Sequence, residues 1–478
     1  MLATWALMPE RPVSANRSSF AFVEAVCDAI ERFTAVAVKN DRSAFWYRGA
    51  NLRYAVERAL YVRLVNDDRL CVSFCEGSNA LLQLDDESFS RHRWFERAVV
   101  RHRLRAEYLR LKRSRGSSAV IDAGDHRSVI AHVIHEKFVR YLRPVMDKLP
   151  ATHAYLAVLD ESFPVKLEQE GVPYIDASQL ELPPARVPLS LLQVSELTAW
   201  YDRIYHALSI LRPRCVVLAE GNAPQDEVAN RVCGVLGIPT VCVQHGWAHI
   251  VHTGFRHMTY SKMAVWGDGF ADILRPFNPD QQFVSTGHPG LKTGACNADG
   301  QAIGFFLQAP GVLITRDAWR CFLTLIRQTA DRLPDRRILV REHPARPLEP
   351  SERALLVAPN IQFVPPAIED LGTVLRDVGV VVSIYSTTLL EGLASGAVPV
   401  VVNLTSSPSY FPDIAASGAG VEVRDTGDAL DVITRLAASD QYRDQFVQPR
   451  CDFRSRFFEP GSSSDNRIVS LIATHTEH

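Results

Sequence analysis

The chain has 478 residues, of which 47% are apolar and 22% are charged, and its formal net charge is −2. One compact core rarely serves so long a chain, so two domains are expected from this ordinary globular composition. The near-zero net charge excludes a global electrostatic field that would demand a nucleic-acid or membrane partner.

The nine cysteines are scattered, and none forms a C-x-x-C pair. Several lie in apolar runs, which favours reduced, buried thiols in a cytoplasmic protein over a disulfide framework. No apolar stretch reaches the roughly 18–20 residues that a membrane-spanning helix needs. The opening MLATWALMPERPVS lacks a basic region before its apolar residues, so it does not predict a signal peptide.

Residues 1–124 carry the weakest pattern. FTAVAV (33–38) and RLCVSF (69–74) are predicted as strands, and residues 91–116 as a strongly basic helix. That helix is either a solvated face or a surface that meets anionic lipid headgroups or an anionic polymer. The second interpretation would place the protein peripherally at the inner face of the cytoplasmic membrane.

From about residue 125 helical and strand patterns alternate. Helices are predicted at 128–149, 196–211 and 223–237, the last ending at Gly237, where a left-handed cap is easy. Strands are predicted at 153–160, 215–221, 238–246, 263–267 and 282–290. This alternation predicts an α/β fold with a doubly wound parallel sheet.

A second series begins near residue 302. Strands are predicted at 302–310, 337–344, 379–387 and 398–403, and helices at 316–333, 367–378 and 387–396. The Gly-rich, polar stretch 287–301 is the expected seam between two Rossmann-like domains. We therefore divide the chain into 1–298 (with 1–124 as a less certain extension), 299–435, and a C-terminal helical segment, 436–478, that is expected to cross back to the first domain.

Ligands of such sheets bind beyond the carboxyl ends of the strands, so the loops that follow strands are the candidate site. In QHGW (244–247), Gly246 permits a tight turn or close backbone approach to a ligand, and His245 is a candidate base. A metal site of His245, His249 and His252 is disfavoured, because Gly246 starts a helix poorly and no ligating carboxylate lies between them.

The strand before this turn ends in AEGN (219–222), which brings Glu220 and Asn222 toward the cleft. Asp226 begins the next helix, where a carboxylate also stabilises the helix dipole. Glu220 or Asp226 is a candidate general base or a partner that orients His245. His288, in GHPG (287–290), is a candidate hinge or nucleotide contact, or simply a buried neutral histidine.

Two loops of the second domain carry candidate donor-binding groups. In REHPARP (341–347), Arg341 and His343 share one side of the strand end and suit a diphosphate, whereas Glu342 points the other way. In YSTTLLEG (385–392), hydroxyls and free N–H groups at a helix start predict an anion site, and a glutamate one turn later is placed to reach a ribose. These residues are Ser386, Thr387, Thr388 and Glu391.

The motifs GIPTVCVQHGW, VWGDGF, VSTGHPG, REHP and SIYSTTLLEGLASGAVPVV together resemble GT-B glycosyltransferases of bacterial surface polysaccharide assembly. The resemblance is closest to the capsule-polysaccharide and teichoic-acid-polymerase-like groups, which include Kdo and polysialic acid transferases. It covers about residues 210–405 and does not extend to the first 120.

The resemblance implies a GT-B fold, with two Rossmann-like domains facing a cleft, and a role for each matching residue. It makes His245 the base, His343 a contact to the donor phosphate, and Glu391 the ribose ligand. Ser386 and Thr387 would hold the phosphate. It also implies transfer of a sugar from a nucleotide sugar to a glycan or lipid-linked glycan of capsule or lipopolysaccharide, with no metal or other cofactor.

Three alternatives remain beside the glycosyltransferase. One is a sugar-nucleotide 2-epimerase or a glycerol-phosphate transferase on the same architecture. A second is a non-catalytic assembly protein with a degenerate cleft, and a third is a metal hydrolase that uses the histidine cluster. CMP, UDP and GDP donors, and inversion or retention, are all compatible with these residues.

Overall fold

The computed structural model describes residues 20–40, 42, 44–66, 68–75, 129–149, 153–157, 167–169, 171–176, 189–246, 250–289, 291, 300–308, 310, 314–343, 346–365, 371–404, 412–458 and 464–475. The predicted basic helix at 91–116 lies outside these residues. Among the described residues, no helix combines the length and apolarity needed to cross a membrane.

Residues 20–75 form a helical layer on the first domain, which we call the N-terminal layer. Its elements are α1 (Phe20–Asn40), β1 (Trp46–Tyr47), β2 (Ala50–Asn51), α2 (Arg53–Asn66) and α3 (Asp68–Cys75). The strands predicted at 33–38 and 69–74 are therefore wrong. Both segments are helical, and in α1 the buried residues recur every three or four positions, which is the helical period: Phe22, Val26, Ile30, Phe33 and Ala37.

The first domain is built on a seven-stranded parallel sheet in the order β5-β4-β3-β6-β7-β8-β9. The strands are β3 (Val129–His132), β4 (His153–Ala157), β5 (Tyr174–Asp176), β6 (Cys215–Ala219), β7 (Thr240–Val243), β8 (Lys262–Val265) and β9 (Phe283–Ser285). The helices are α4 (Glu136–Met146), α5 (Leu189–Leu211), α6 (Pro224–Leu236) and α7 (Asp268–Leu274). As predicted, α6 ends at Gly237 in a left-handed conformation, with φ 69°.

The sequence did not predict β5 or α7, and it assigned the wrong structure to the start of the domain. The segment 128–149 was predicted as a single helix, but it contains the strand β3 followed by α4. β3 pairs with β4 on one side and β6 on the other, and it is buried throughout. A short apolar run that is buried on both faces shows no strand alternation, so its sequence does not distinguish a strand from a helix.

The second domain has a six-stranded parallel sheet in the order β12-β11-β10-β13-β14-β15. The strands are β10 (Ala302–Phe306), β11 (Ile338–Arg341), β12 (Ile361–Val364), β13 (Val378–Ser383), β14 (Val398–Val402) and β15 (Val421–Val423). The helices are α8 (Arg316–Arg332), α9 (Pro350–Leu355), α10 (Leu371–Arg376), α11 (Thr388–Ala394), α12 (Thr426–Ala438) and α13 (Asp440–Asp444).

The C-terminal segment contains α14 (Val447–Phe457) and α15 (Ser464–Ala473) and returns to the first domain. Phe457 packs so closely on Gly269 that a Cβ there would lie 2.5 Å from its ring. Ile468 of α15 is buried in the core beneath α4, and Lys148 is 2.9 Å from Asp465. The two domains are thus joined at the seam and again at the C-terminus.

The described cysteines are free thiols, with one exception. Free thiols lie at positions 27, 71, 75, 215, 233, 242 and 321. Cys451, on α14, is disulfide-bonded, and its partner lies outside the described residues. The expectation of reduced cysteines is therefore wrong at this position.

Candidate functional site

The loops after β6 and β7 meet the loop after β13 across the gap between the domains. Gly246 lies at one such point of approach. A Cβ built there would lie 3.1 Å from Glu220 Oε1 and 3.8 Å from Thr387 Oγ1. Because parallel strands end at the same edge of a sheet, this geometry means that the carboxyl edges of the two sheets face each other.

The turn that carries His245 is held in place by Gln244. The Gln244 side chain accepts from Trp266 N (3.0 Å) and donates to Gly246 O (3.1 Å), which ties the turn to the end of β8. The Gln244 carbonyl accepts hydrogen bonds from the Tyr141 hydroxyl and from Trp266 Nε1. This network positions His245 before any ligand binds.

His245 lies among aromatic rings, edge-on to Phe138 (ring centroids 4.9 Å apart) and to Tyr141 (4.7 Å). Its Nδ1 is buried and has no hydrogen-bond partner among the described residues. Burial, followed by the charge of Lys137, holds the pKa of His245 well below its ordinary value. The imidazole is therefore neutral at neutral pH, as a general base must be.

Glu220 occupies a strained position just after β6. Its φ is 69°, a left-handed conformation that is rare for a residue with a side chain, and Gly221 follows at 70°. Burial raises the pKa of the Glu220 carboxyl, and Lys137, whose Nζ lies 3.9 Å from Oε2, opposes that rise. Backbone strain of about 1–3 kcal/mol is typically retained where a site needs the geometry.

Asp226 is a different case from Glu220. It is only 1% exposed, and its Oδ1 lies 3.3 Å from His132 Nδ1 beneath the sheet edge. A carboxylate so enclosed does not reach an acceptor hydroxyl. The interpretation of Asp226 as a base is therefore corrected to that of a buried partner of His132, whose charge contributes to the raised pKa of Glu220.

His288 and Glu391 join the two domains directly, with Nε2 of the histidine 3.2 Å from Oε1 of the glutamate. His288 Nδ1 lies 2.7 Å from Pro289 O, and since a carbonyl only accepts, this network assigns the proton to Nδ1. The predicted ribose ligand thus already has a partner from the opposite domain.

The hydroxyl cluster lies at the start of α11, as the sequence predicted. Ser386 Oγ accepts from Thr388 N at 3.2 Å and lies 3.1 Å from Thr388 Oγ1. Thr387 precedes the helix and is the member that faces Gly246. Ser386 and Thr388 therefore shape the turn, while Thr387 faces the other domain.

The loop after β11 separates into two parts. Burial and the charge of Lys137 lower the pKa of His343, so a charge of the first domain acts on this histidine of the second. Arg341 ends β11 at the same edge. Arg346 instead lies 2.9 Å from Glu352 and packs over Trp319, and Glu342 is buried against Leu348 N and Arg353, so both serve the loop itself.

Sequence reasoning missed Lys137, which influences three of the candidate groups. It lies in the first turn of α4, where His135 Nδ1 accepts from the Lys137 N–H at 3.1 Å. Its charge opposes the rise that burial causes in the pKa of Glu220, and it adds to the lowering that burial causes in the pKa of His245 and His343. Separating β3 from α4 would have placed HEKF (135–138) at the start of a helix that follows a strand, which is the signal that could have found it.

The three-histidine arrangement is only partly described, because His249 lies outside the described residues. His252 accepts from Gly254 N at 3.0 Å and stacks on Tyr61 of the N-terminal layer, with ring centroids 4.6 Å apart. Within the described part of the chain, no three His, Cys, Asp or Glu residues cluster as metal ligands.

Only comparison with solved structures finds proteins similar to this chain. No family model matches the chain, and no curated protein matches its sequence. Solved structures do match. A Listeria monocytogenes protein provisionally named a UDP-N-acetylglucosamine 2-epimerase superposes with a TM-score of 0.52 at 12% identity, covering 73% of this chain and 97% of its own.

Two further structures match with the same 73% coverage of this chain. The calicheamicin glycosyltransferase CalG4 has a TM-score of 0.50 at 14% identity over 98% of its length, and the S. aureus MnaA–UDP complex has 0.51 at 11% over 96%. The chain has the GT-B fold. At these identities the likeness establishes the architecture alone.

Proposed function

We propose that this protein is a glycosyltransferase that moves a sugar from a nucleotide-sugar donor to a bacterial surface glycan or its lipid-linked precursor. The observation that carries the proposal is the approach of Gly246, which lies beside Glu220, to Thr387 across the cleft. In this arrangement His245, which can accept a proton, lies on one side of the cleft. The anion-binding edge of the second domain, which includes Thr387, lies on the other side.

The second domain supplies the groups that suit a nucleotide diphosphate. Thr387 offers a hydroxyl at the start of α11, while Arg341 and His343 follow β11 at the same edge. Glu391, one turn further on, is the proposed ligand of a ribose hydroxyl pair. Negative charge develops on the leaving phosphate during transfer, and positioned donors and cations stabilise it without a metal.

The first domain supplies the groups that suit the acceptor. His245 is neutral, fixed by its aromatic neighbours, and adjacent to the Glu220 carboxylate at the cleft edge. A hydroxyl held against His245 would lose its proton as it attacks the anomeric carbon. Burial and the charge of Lys137 keep the base neutral, and Lys137 adds a cation near the departing phosphate.

The comparisons support a nucleotide-sugar substrate through architecture. A calicheamicin glycosyltransferase and a UDP-bound MnaA share this fold over 73% of the chain. The resemblance of the cleft motifs to capsule-polysaccharide and teichoic-acid-polymerase-like enzymes supports the surface-glycan acceptor. A cytoplasmic location, where nucleotide sugars are made, belongs to the same proposal.

A sugar-nucleotide 2-epimerase is the second candidate. It is favoured by the likeness to the Listeria protein and by the acid–base pair at the cleft, a carboxyl of raised pKa beside an imidazole of lowered pKa. Such a pair could exchange a proton at one sugar carbon. The two activities differ in whether a nucleotide sugar changes without an acceptor.

A thermal-shift screen of CMP, UDP and GDP tests the proposal first. A nucleotide at a hundred times its Kd adds about 2.7 kcal/mol of stability, which raises Tm measurably. We expect one nucleotide to shift Tm, and the matching donor to transfer sugar to a glycan acceptor with EDTA present. Absence of any shift argues against a nucleotide-sugar enzyme, and conversion of the donor alone to a 2-epimer would establish the alternative.

A further inference from the structure

The turn that carries Glu220 is held on one side by the ends of β6 and β7. Glu220 N donates to Val243 O and Gly221 N donates to Ala219 O, each at 2.8 Å. A Cβ at Gly221 would lie 2.5 Å from Cys242 Sγ and 2.9 Å from the Tyr260 hydroxyl oxygen. The turn is therefore packed closely on one side, and two consecutive left-handed residues need a further restraint to persist.

That restraint comes from the N-terminal layer. Arg58 of α2 donates from Nη1 to Gly221 O at 2.7 Å, and the Tyr260 hydroxyl donates to the same carbonyl at 2.8 Å. The Arg58 side chain is completely buried, and its Nη2 lies 3.1 Å from Oε2 of the equally buried Glu227. A buried arginine is destabilising unless it is paired; Glu227 pairs the charge, and this pair fixes the guanidinium whose Nη1 bonds the turn.

We propose that Arg58 and Tyr260 are positioning residues for Glu220. By fixing the Gly221 carbonyl they hold the Glu220 carboxylate beside Gly246, where it faces the second domain. The N-terminal layer, to which the sequence assigns no role, thereby becomes a structural part of the site. The catalytic consequence rests on the proposed function, whereas the restraint on the turn does not.

Arg53 provides a matched control on the same helix. Its Nε lies 2.8 Å from Glu57 and 3.0 Å from Thr34, so it also pairs with a buried carboxylate of the N-terminal layer. The described contacts of Arg53 do not reach the Glu220 turn. Arg53→Met therefore reproduces a loss of pairing within the layer while leaving the Gly221 carbonyl bonded.

Hydrogen exchange at the amides of Glu220 and Gly221 tests the restraint directly, in variants whose circular dichroism shows an intact fold. We expect exchange to quicken about tenfold in Arg58→Met, and in the same direction in Tyr260→Phe, with no change in Arg53→Met. If Arg58→Met does not fold, Tyr260→Phe decides, because it removes only a hydroxyl. Unchanged exchange in the folded variants would overturn the proposal.

Kinetics of the full-length enzyme test the consequence for Glu220. Arg58→Met should lower kcat about tenfold or more while the donor Kd changes less than about twofold, and Arg58→Lys should recover part of the loss. An equal fall in Arg53→Met would show that only stability is lost and would overturn the positioning role. If the wild type transfers nothing from any donor, the proposed function fails, and the exchange experiment still judges the restraint.

Discussion

His288 Nε2 lies 3.2 Å from Glu391 Oε1, so an imidazole of the first domain meets the predicted ribose ligand of the second. We expect Glu391→Gln to weaken nucleotide binding about tenfold or more, because a carboxylate hydrogen bond contributes about 1.5–3 kcal/mol. His288→Phe keeps the ring beside Trp266 and removes the nitrogens, so a smaller loss should follow. Isothermal titration with the nucleotide measures both, and wild-type affinity in Glu391→Gln would remove it from the ribose role.

Removing the charge of Lys137 should change the pH dependence of transfer. That charge lowers the pKa of both His245 and His343, so Lys137→Met should raise both toward the ordinary imidazole value. The base then becomes protonated at higher pH, and the acid limb of the kcat/KM profile should move upward. Lys148→Met, which alters an exposed lysine paired with Asp465, is the control, and an unmoved limb in Lys137→Met would contradict the account.

Gly246→Ala tests how closely the domains approach. Its Cβ would meet Glu220 Oε1 at 3.1 Å and lie 3.8 Å from Thr387 Oγ1, so the carboxylate must shift. We expect kcat/KM to fall about tenfold or more while the fold survives. Gly234→Ala is the matched control, because its Cβ meets nothing within 4 Å. Full activity in Gly246→Ala would show that transfer does not take place between Gly246 and Thr387.

We expect Glu220 to lower the free energy of unfolding while it contributes to sugar transfer. Glu220→Gly removes a side chain from a φ of 69° and a carboxyl whose pKa is raised by burial. Since the unfolded chain ionises that carboxyl at lower pH than the folded one, its presence destabilises the fold increasingly as pH rises above about 4.5. We expect the free energy of unfolding at pH 7 to rise by about 1 kcal/mol and transfer to be lost.

Arg212→Gly separates the backbone contribution from the carboxyl. Arg212 is exposed, has φ 45° and lies outside the cleft, so glycine there relieves strain without touching the site. Urea unfolding should show a smaller gain than in Glu220→Gly, with activity kept. A Glu220→Gly variant that is less stable than wild type at pH 7 would refute the interpretation of this turn as strained.

Much of the architecture follows from local patterns. Buried apolar runs that alternate with amphipathic stretches predict the parallel strands, and Gly237 marks a helix end that the structure confirms at φ 69°. The segments that were assigned to the wrong type of element share one physical cause. A short apolar run such as FTAVAV fits either a strand or a helix until the periodicity of the neighbouring residues is considered. Because of the same ambiguity the sequence did not predict β3, nor the start of α4 after it, where Lys137 lies.

The sequence predicts only part of the candidate site, for a different reason. Glu220, His245 and Thr387 follow strands of the two sheets, so topology predicts that they converge. The partners of Asp226 and Glu391 depend on three-dimensional packing, because His132 and His288 are distant in the chain. Arg58 likewise reaches Gly221 across more than 160 positions, and no local pattern encodes that contact.

Comparing His245→Ala with His343→Ala tests the central claim most directly, since the account assigns one residue to the acceptor side and the other to the donor. Nucleotide binding by calorimetry and sugar transfer from the matching donor should be measured in both variants. We predict that His245→Ala keeps nucleotide affinity within about twofold and loses transfer, whereas His343→Ala loses affinity. Loss of nucleotide binding in His245→Ala, or unchanged binding in His343→Ala, would contradict a site divided between the two domains.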